Sequence, residues 1–110
     1  MTANVHETLA ALADETRQAV IDLLSKEPLR ASEIAAAIGL TPQAMSRHLR
    51  VLRRSGLIRE EGIDDDARVR IYQLRREPFD NLRHWLDGVE SFWVDELTSF
   101  RDHVKMQAKE

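Results

Sequence analysis

Residues 35 to 58 read AAAIGLTPQAMSRHLRVLRRSGLI, and the punctuation inside this stretch decides the fold. A left-handed backbone at position 39 is inexpensive only for glycine, so Gly39 ends the alanine-rich helix before it. Thr41 suits an N-cap and Pro42 the first helical position, so a new helix starts at once. It runs to about Ser55, where Gly56 stops it. Helix, short turn containing glycine, helix is the geometry of a helix-turn-helix.

Placing residues ~100° apart sorts the second of these helices by face. Met45, Leu49 and Leu52 share one arc and can bury. Gln43, Ser46, Arg47, Arg50 and Arg54 occupy the opposite arc, with Arg53 at its edge. Residues 41–58 hold four arginines, a histidine and no carboxylate, although the 110-residue chain has a formal charge of −3. Residues 39–59 carry five Lys/Arg against no Asp/Glu, whereas 1–38 carry three against six and 60–110 eight against thirteen. A polyanion responds to the patch within a Debye length, not to the net charge. Basic residues on a helix can equally form a solvated face; their place on the second helix of a helix-turn-helix points to double-stranded DNA.

The side chains on that face have matching chemistry. Gln can bond adenine at two points, Arg can bond guanine O6 and N7, and Ser accepts several partners. The N-terminal part of such a helix reaches base edges, which makes Gln43, Ser46 and Arg47 the candidates for sequence reading. Arg50, Arg53 and Arg54 lie further along, where phosphate contacts are expected. His48 falls beside the buried arc and is either a partly packed histidine or a phosphate donor.

Working outward, residues 6–26 read as one helix, with Leu9, Leu12, Ala13, Val20, Leu23 and Leu24 near helical spacing and Pro28 beyond its end. Residues 31–38 form a second, short helix with Ser32 as its N-cap. After Gly56, Leu57–Glu61 and Arg68–Leu74 read as a hairpin around GIDDDA. Alternation sets Val69, Ile71 and Gln73 on one side and Arg68, Arg70, Tyr72 and Leu74 on the other. This hairpin would be a wing whose Arg68 and Arg70 reach phosphate or a narrow minor groove, although Asp64-Asp65-Asp66 at the tip opposes such contact. A last helix is expected from about residue 78 to 106.

The length and the apolar and charged fractions, 43% and 32%, fit one domain over residues 1–110, mainly α with a small β-hairpin. No basic start followed by an apolar block opens the chain, and its longest apolar run, IAAAIGL, is far short of the ~20 residues that span a bilayer. Cysteine is absent, which excludes disulfides and thiolate metal sites. The cytoplasm is the expected compartment. An enzyme is disfavoured: there is no glycine-rich phosphate loop and no grouped Ser, His and acid. A winged helix serving as a protein- or RNA-interaction module is the other alternative.

LADETRQAVIDLLSKEPLRASEIAAAIGLTPQAMSRHLRVLRRSGLI resembles the winged helix-turn-helix core of the ArsR/SmtB family of bacterial repressors. The marks are LADETR, EIAAAIGL, SRHLRVLRRSGLI and the closing YQL, over about residues 7–75. The resemblance implies a homodimer that binds an imperfect inverted repeat and represses its own transcript until an inducer arrives. It also places Gln43, Ser46, Arg47 and His48 at the DNA. The sequence departs from the metal-sensing members: LRASE, residues 29–33, stands where they carry Cys-x-Cys, and their paired Asp/His pattern in the last helix is not reproduced. His84 and His103 would sit ~28 Å apart on one helix, too far to share an ion. No metal or other cofactor is expected. The last helix, FDNLRHWLDGVESFWVDELTSF, resembles ArsR-type regulators encoded beside SRPBCC (Hsp90-activator-like) proteins.

Five of the six aromatic residues, Phe79, Trp85, Phe92, Trp93 and Phe100, follow position 78. One helix cannot bury all of these against a small domain, and an exposed apolar patch marks an association surface. The expected interface is isologous and built from Leu9 and Leu12 of the first helix with Trp85, Val89, Phe92, Trp93 and Phe100 of the last. A small-molecule inducer, if one acts, would enter this aromatic interface.

Overall fold

Where spacing predicts one helix over 6–26, the chain forms two, α1 (Val5–Leu12) and α2 (Glu15–Leu24). The cause is Asp14, whose carboxylate accepts the Arg17 backbone N–H at 3.0 Å and so starts a new helix. Side chains of the new first turn seal the break. Arg17 Nε donates to the Ala11 carbonyl at 2.6 Å and Gln18 Nε2 to that of Leu12 at 2.7 Å, satisfying acceptors at the end of α1. In helical periodicity alone this break is invisible, because the apolar positions on either side stay nearly in phase.

A computed structural model describes residues 4–63 and 66–108, and the side chains of these apart from 63, 66–68 and 106–108. After α2 come β1 (Leu29–Arg30), α3 (Ala31–Ile38), α4 (Pro42–Arg54), β2 (Ile58–Ile63), β3 (Asp66–Leu74) and α5 (Arg76–Ala108). The expected bounds of α3 hold, but its N-cap is Arg30 and not Ser32. Its first turn is closed from the other direction: the Glu33 carboxylate accepts the Arg30 backbone N–H at 2.9 Å. Gly39 sits at φ 85°, and its N–H and that of Leu40 both donate to Ala35 O, at 2.8 and 3.1 Å. Thr41 then caps α4, its hydroxyl accepting the Ala44 N–H at 3.2 Å, and Pro42 opens the helix.

The hairpin strands run longer than expected, and a third strand joins them in the order β1-β3-β2. Leu29 pairs with Tyr72 and Arg30 with Ile71. Two residues are too few for any periodic signal, so the sequence gives no sign of β1. Ile58↔Leu74, Glu60↔Tyr72 and Gly62↔Arg70 are cross-strand partners and share one face. Leu74 and Tyr72 share a face with Arg70, as the alternation predicts; the two lie against the core and Arg70 continues the face outward. The acidic tip at 64–65 and the Arg68 side chain lie outside the described residues.

Val20 and Leu24 of α2, Ile34 and Ala35 of α3, and Met45, Leu49 and Leu52 of α4 form the core with Leu57 and Ile58. The three-helix body therefore fixes α4 by one face and leaves the other in solvent.

α5 begins two residues before Pro78, which is tolerated because first-turn N–H groups have no partner within the helix. Phe79 packs against the core and Leu82 is half-buried; from Arg83 to Lys105 every residue is exposed. Nine large apolar side chains stand in this exposed part, among them Trp85 at 45%, Phe92 and Trp93 at 60% and Phe100 at 67% accessibility. At 100° per residue, all of these but Val94 fall within an arc of about 140°. Of the five late aromatics, only Phe79 fills the chain's own core. In α1, Leu9 is exposed, whereas Leu12 is already half-covered by its own chain. None of the described helices is long and apolar enough to cross a membrane.

Candidate nucleic-acid interface

The buried arc of α4 sets what its outer surface presents. Met45, Leu49 and Leu52 are at most 2% accessible. Their burial turns Gln43, Ser46, Arg47, Arg50, Arg53 and Arg54 outward, and all six are exposed. Among the described residues no carboxylate lies within ion-pair distance of Arg47, Arg50 or Arg54. Among the described residues nothing takes a donor of these three guanidiniums, which leaves them for an external acceptor.

The two edges of this face are anchored differently. On one edge, His48 is half-buried against the start of α2: its Nδ1 lies 3.4 Å from Arg17 Nη1 and 3.8 Å from Asp14 Oδ1. A guanidinium only donates, so in the neutral ring that accepts from Arg17 at Nδ1 the proton sits on Nε2. The two alternatives for His48 are compatible in this arrangement. One nitrogen is held by the protein and the other remains a donor. The Arg17 backbone N–H holds the Asp14 carboxyl below its ordinary pKa; burial opposes it, and the Arg17 charge adds a smaller lowering effect. Arg54 and Val51 lie further along, facing Glu7, Ala10 and Arg17 across an open groove.

On the other edge, Arg53 meets the hairpin. The Glu60 carboxylate accepts from Arg53 Nη1 and from the Tyr72 hydroxyl at 3.0 Å, and it forms an ion pair with Arg70, whose Nε lies 3.0 Å from Oε1. Arg53 and Arg70 are therefore not unpaired surface cations; each gives part of its donor set to an acid of its own chain. Burial, and then the bond to Glu60, push the Tyr72 phenol above its ordinary pKa, so it remains a donor at neutral pH. The outer face of the hairpin carries a separate ladder, in which Arg59 donates to Gln73 at 3.2 Å and Gln73 to Glu61 at 2.8 Å.

Sequence reasoning missed Asp14, Arg17, Glu60 and Tyr72 as neighbours of this face. Glu60 is the first carboxylate after the acid-free stretch, and cross-strand register with Tyr72 is the signal that would have placed it. Among the described residues no three His, Cys, Asp or Glu side chains gather as a metal site.

Residues 12–61 match a family model described as a helix-turn-helix domain. The HTH-type transcriptional regulator Rv2034 of Mycobacterium tuberculosis is 36% identical over 91 residues, 82% of this chain and 78% of that protein. The solved structure of an ArsR family transcriptional regulator, RHA00566, superposes with a TM-score of 0.71 at 33% identity, covering 80% of this chain and 88% of the other. The homodimeric winged helix-turn-helix domain of Mb0332 from Mycobacterium bovis, a possible ArsR-family regulator, superposes with a TM-score of 0.59 over 84% of this chain and 81% of that one. At 22% identity, that likeness is one of fold.

Proposed function

Because the chain belongs to the ArsR family of winged helix-turn-helix DNA-binding transcriptional regulators, we propose that it is an autoregulatory repressor that binds an inverted-repeat operator as a homodimer. The observation that carries this reading is the outward face of α4, free of carboxylates and fixed by the burial of Met45, Leu49 and Leu52. Gln43, Ser46 and Arg47, at the N-terminal half of the helix, read base edges in the major groove. Arg50, Arg53 and Arg54 contact phosphates, and Arg68 and Arg70 extend those contacts along the wing. His48 donates from Nε2 to the backbone.

The second copy is supported by α5. An arc of exposed apolar side chains over several turns is not stable in water and is covered when two such helices meet. Trp85, Val89, Phe92, Trp93 and Phe100 form the centre of that interface, with Leu9 of α1 and the outer edge of Leu12 beside it. The homodimeric state of the Mb0332 domain is consistent with this arrangement. An isologous pair would set two α4 helices for successive major grooves, ~34 Å apart. The inducer, if present, is an organic molecule seated among these aromatics, and it acts by favouring the dimer geometry that binds DNA weakly. Such a repressor works in the cytoplasm, without metal.

The test is a nuclease footprint on the DNA upstream of the protein's own gene, paired with transcription from that promoter in vitro. Protection of two half-sites about one helical turn apart, with reduced transcript, is expected. Absence of protection at any promoter-proximal site would end the proposal.

A further inference from the structure

We infer that Glu60 is a positioning residue for DNA binding, which draws Arg53 of the recognition helix and Arg70 of the wing together so that both guanidiniums address the same stretch of phosphate backbone. This rests on the DNA-binding role of the α4 face given above. Arg53 and Arg70 belong to different elements, and among the described residues Glu60 is the acid that both side chains pair with. Glu60 uses both oxygens: Oε1 pairs with the Arg70 guanidinium, 3.0 Å from its Nε, and Oε2 accepts from Arg53 Nη1 and the Tyr72 hydroxyl. The Glu60 side chain is only 17% accessible, while those of Arg53 and Arg70 are 47% and 49% accessible. The acid is thus on the inside of the cluster and the cations on the outside.

The bonding leaves the arginines with work to do. Each guanidinium has five N–H donors, and among the described residues Glu60 is the acid each one faces, which leaves the Nη2 groups of both and Nη1 of Arg70 to address phosphate. Two cations against one anion leave the cluster at +1. Long side chains on adjacent elements lose rotamer freedom when a ligand orders them, and a prior bond to Glu60 has already ordered these two. Glu60 also repels phosphate directly. The two effects have opposite signs, which makes the residue's role measurable.

The experiment measures affinity of the full chain for a random-sequence duplex across a salt series, for wild type, Glu60→Gln and Tyr72→Phe. Glu60→Gln preserves size and is expected to weaken binding about three- to tenfold and to flatten the slope of log K against log[salt] by about one unit, as one phosphate contact is lost. Tyr72→Phe keeps the carboxylate charge and removes one of its hydrogen bonds; a loss in the same direction of about twofold is expected. Equal or tighter binding by Glu60→Gln overturns the inference, since that is what removal of a merely repelling charge produces. Weaker binding with an unchanged slope and a lowered melting temperature also overturns it, because that is the mark of a purely structural residue. If wild type itself shows no salt-dependent binding to duplex, the DNA-binding role fails and this inference with it. If wild type binds and only the Glu60 result is contrary, the DNA-binding role stands.

Discussion

Trp93→Ala isolates the association surface from the body that carries it. Trp93 is 60% accessible in the single chain and lies in a part of α5 with no buried residue, so its truncation leaves the core untouched. A tryptophan buries roughly 200 Å², of which ~120 Å² is then available to a partner; at ~25 cal/mol per Å² this is about 3 kcal/mol per chain. An isologous contact counts it twice, and alanine retains about a third, which leaves roughly 4 kcal/mol, or a thousandfold rise in the dimer Kd. Sedimentation equilibrium over a concentration series measures that constant, and thermal unfolding by circular dichroism checks the body. The expected result is a shift to monomer with folded helix-turn-helix signal intact. A dimer constant within a few-fold of wild type would place the interface elsewhere and refute the reasoning from exposure.

Gly39→Ala should destabilise the chain by about 1–2 kcal/mol in urea unfolding, because an added Cβ meets no neighbour there and the whole cost is the left-handed backbone at φ 85°. Full stability would mean that the turn between α3 and α4 relaxes. Arg54→Ala should weaken random and specific duplexes alike and flatten the salt slope by about 0.9; an unchanged slope would remove it from the phosphate contacts. Asp14 titrates below its ordinary value in the folded chain, so the stabilisation of its charged form is complete above about pH 4 and is lost as pH falls through the lower folded value. Asp14→Asn keeps an N-cap acceptor but no charge, and acid unfolding should show a shallower limb below about pH 4. A limb identical to wild type would separate Asp14 from acid stability.

The parts legible in the sequence are those that local chemistry dictates. Gly39, Thr41-Pro42 and Gly56 each force a backbone state, so α3, α4 and the turn between them follow from residue identity alone. The split of each surface of α4 into buried and exposed arcs follows from helical period. What was hidden depends on partners distant in the chain. The α1–α2 break needs Arg17 and Gln18 to reach back to Ala11 and Leu12, and β1 exists only through its pairing with β3. The same reason hid the edges of the candidate site. Helical period set Arg53 at the edge of the outer arc and His48 beside the buried one, but not their partners: His48 is tied to Arg17 and Arg53 to Glu60. The exposed α5 stripe was legible because a single small body cannot cover that many aromatics, whatever its topology.

Binding of wild type and Arg47→Ala to the footprinted operator and to random duplex, under one salt condition, tests whether the outward face of α4 reads DNA sequence. Arg47 is exposed and free of ion pairs among the described residues, so its loss should remove about 1–3 kcal/mol from operator binding, roughly five- to 150-fold, and far less from random duplex. Equal losses on both duplexes, or none on either, would contradict it.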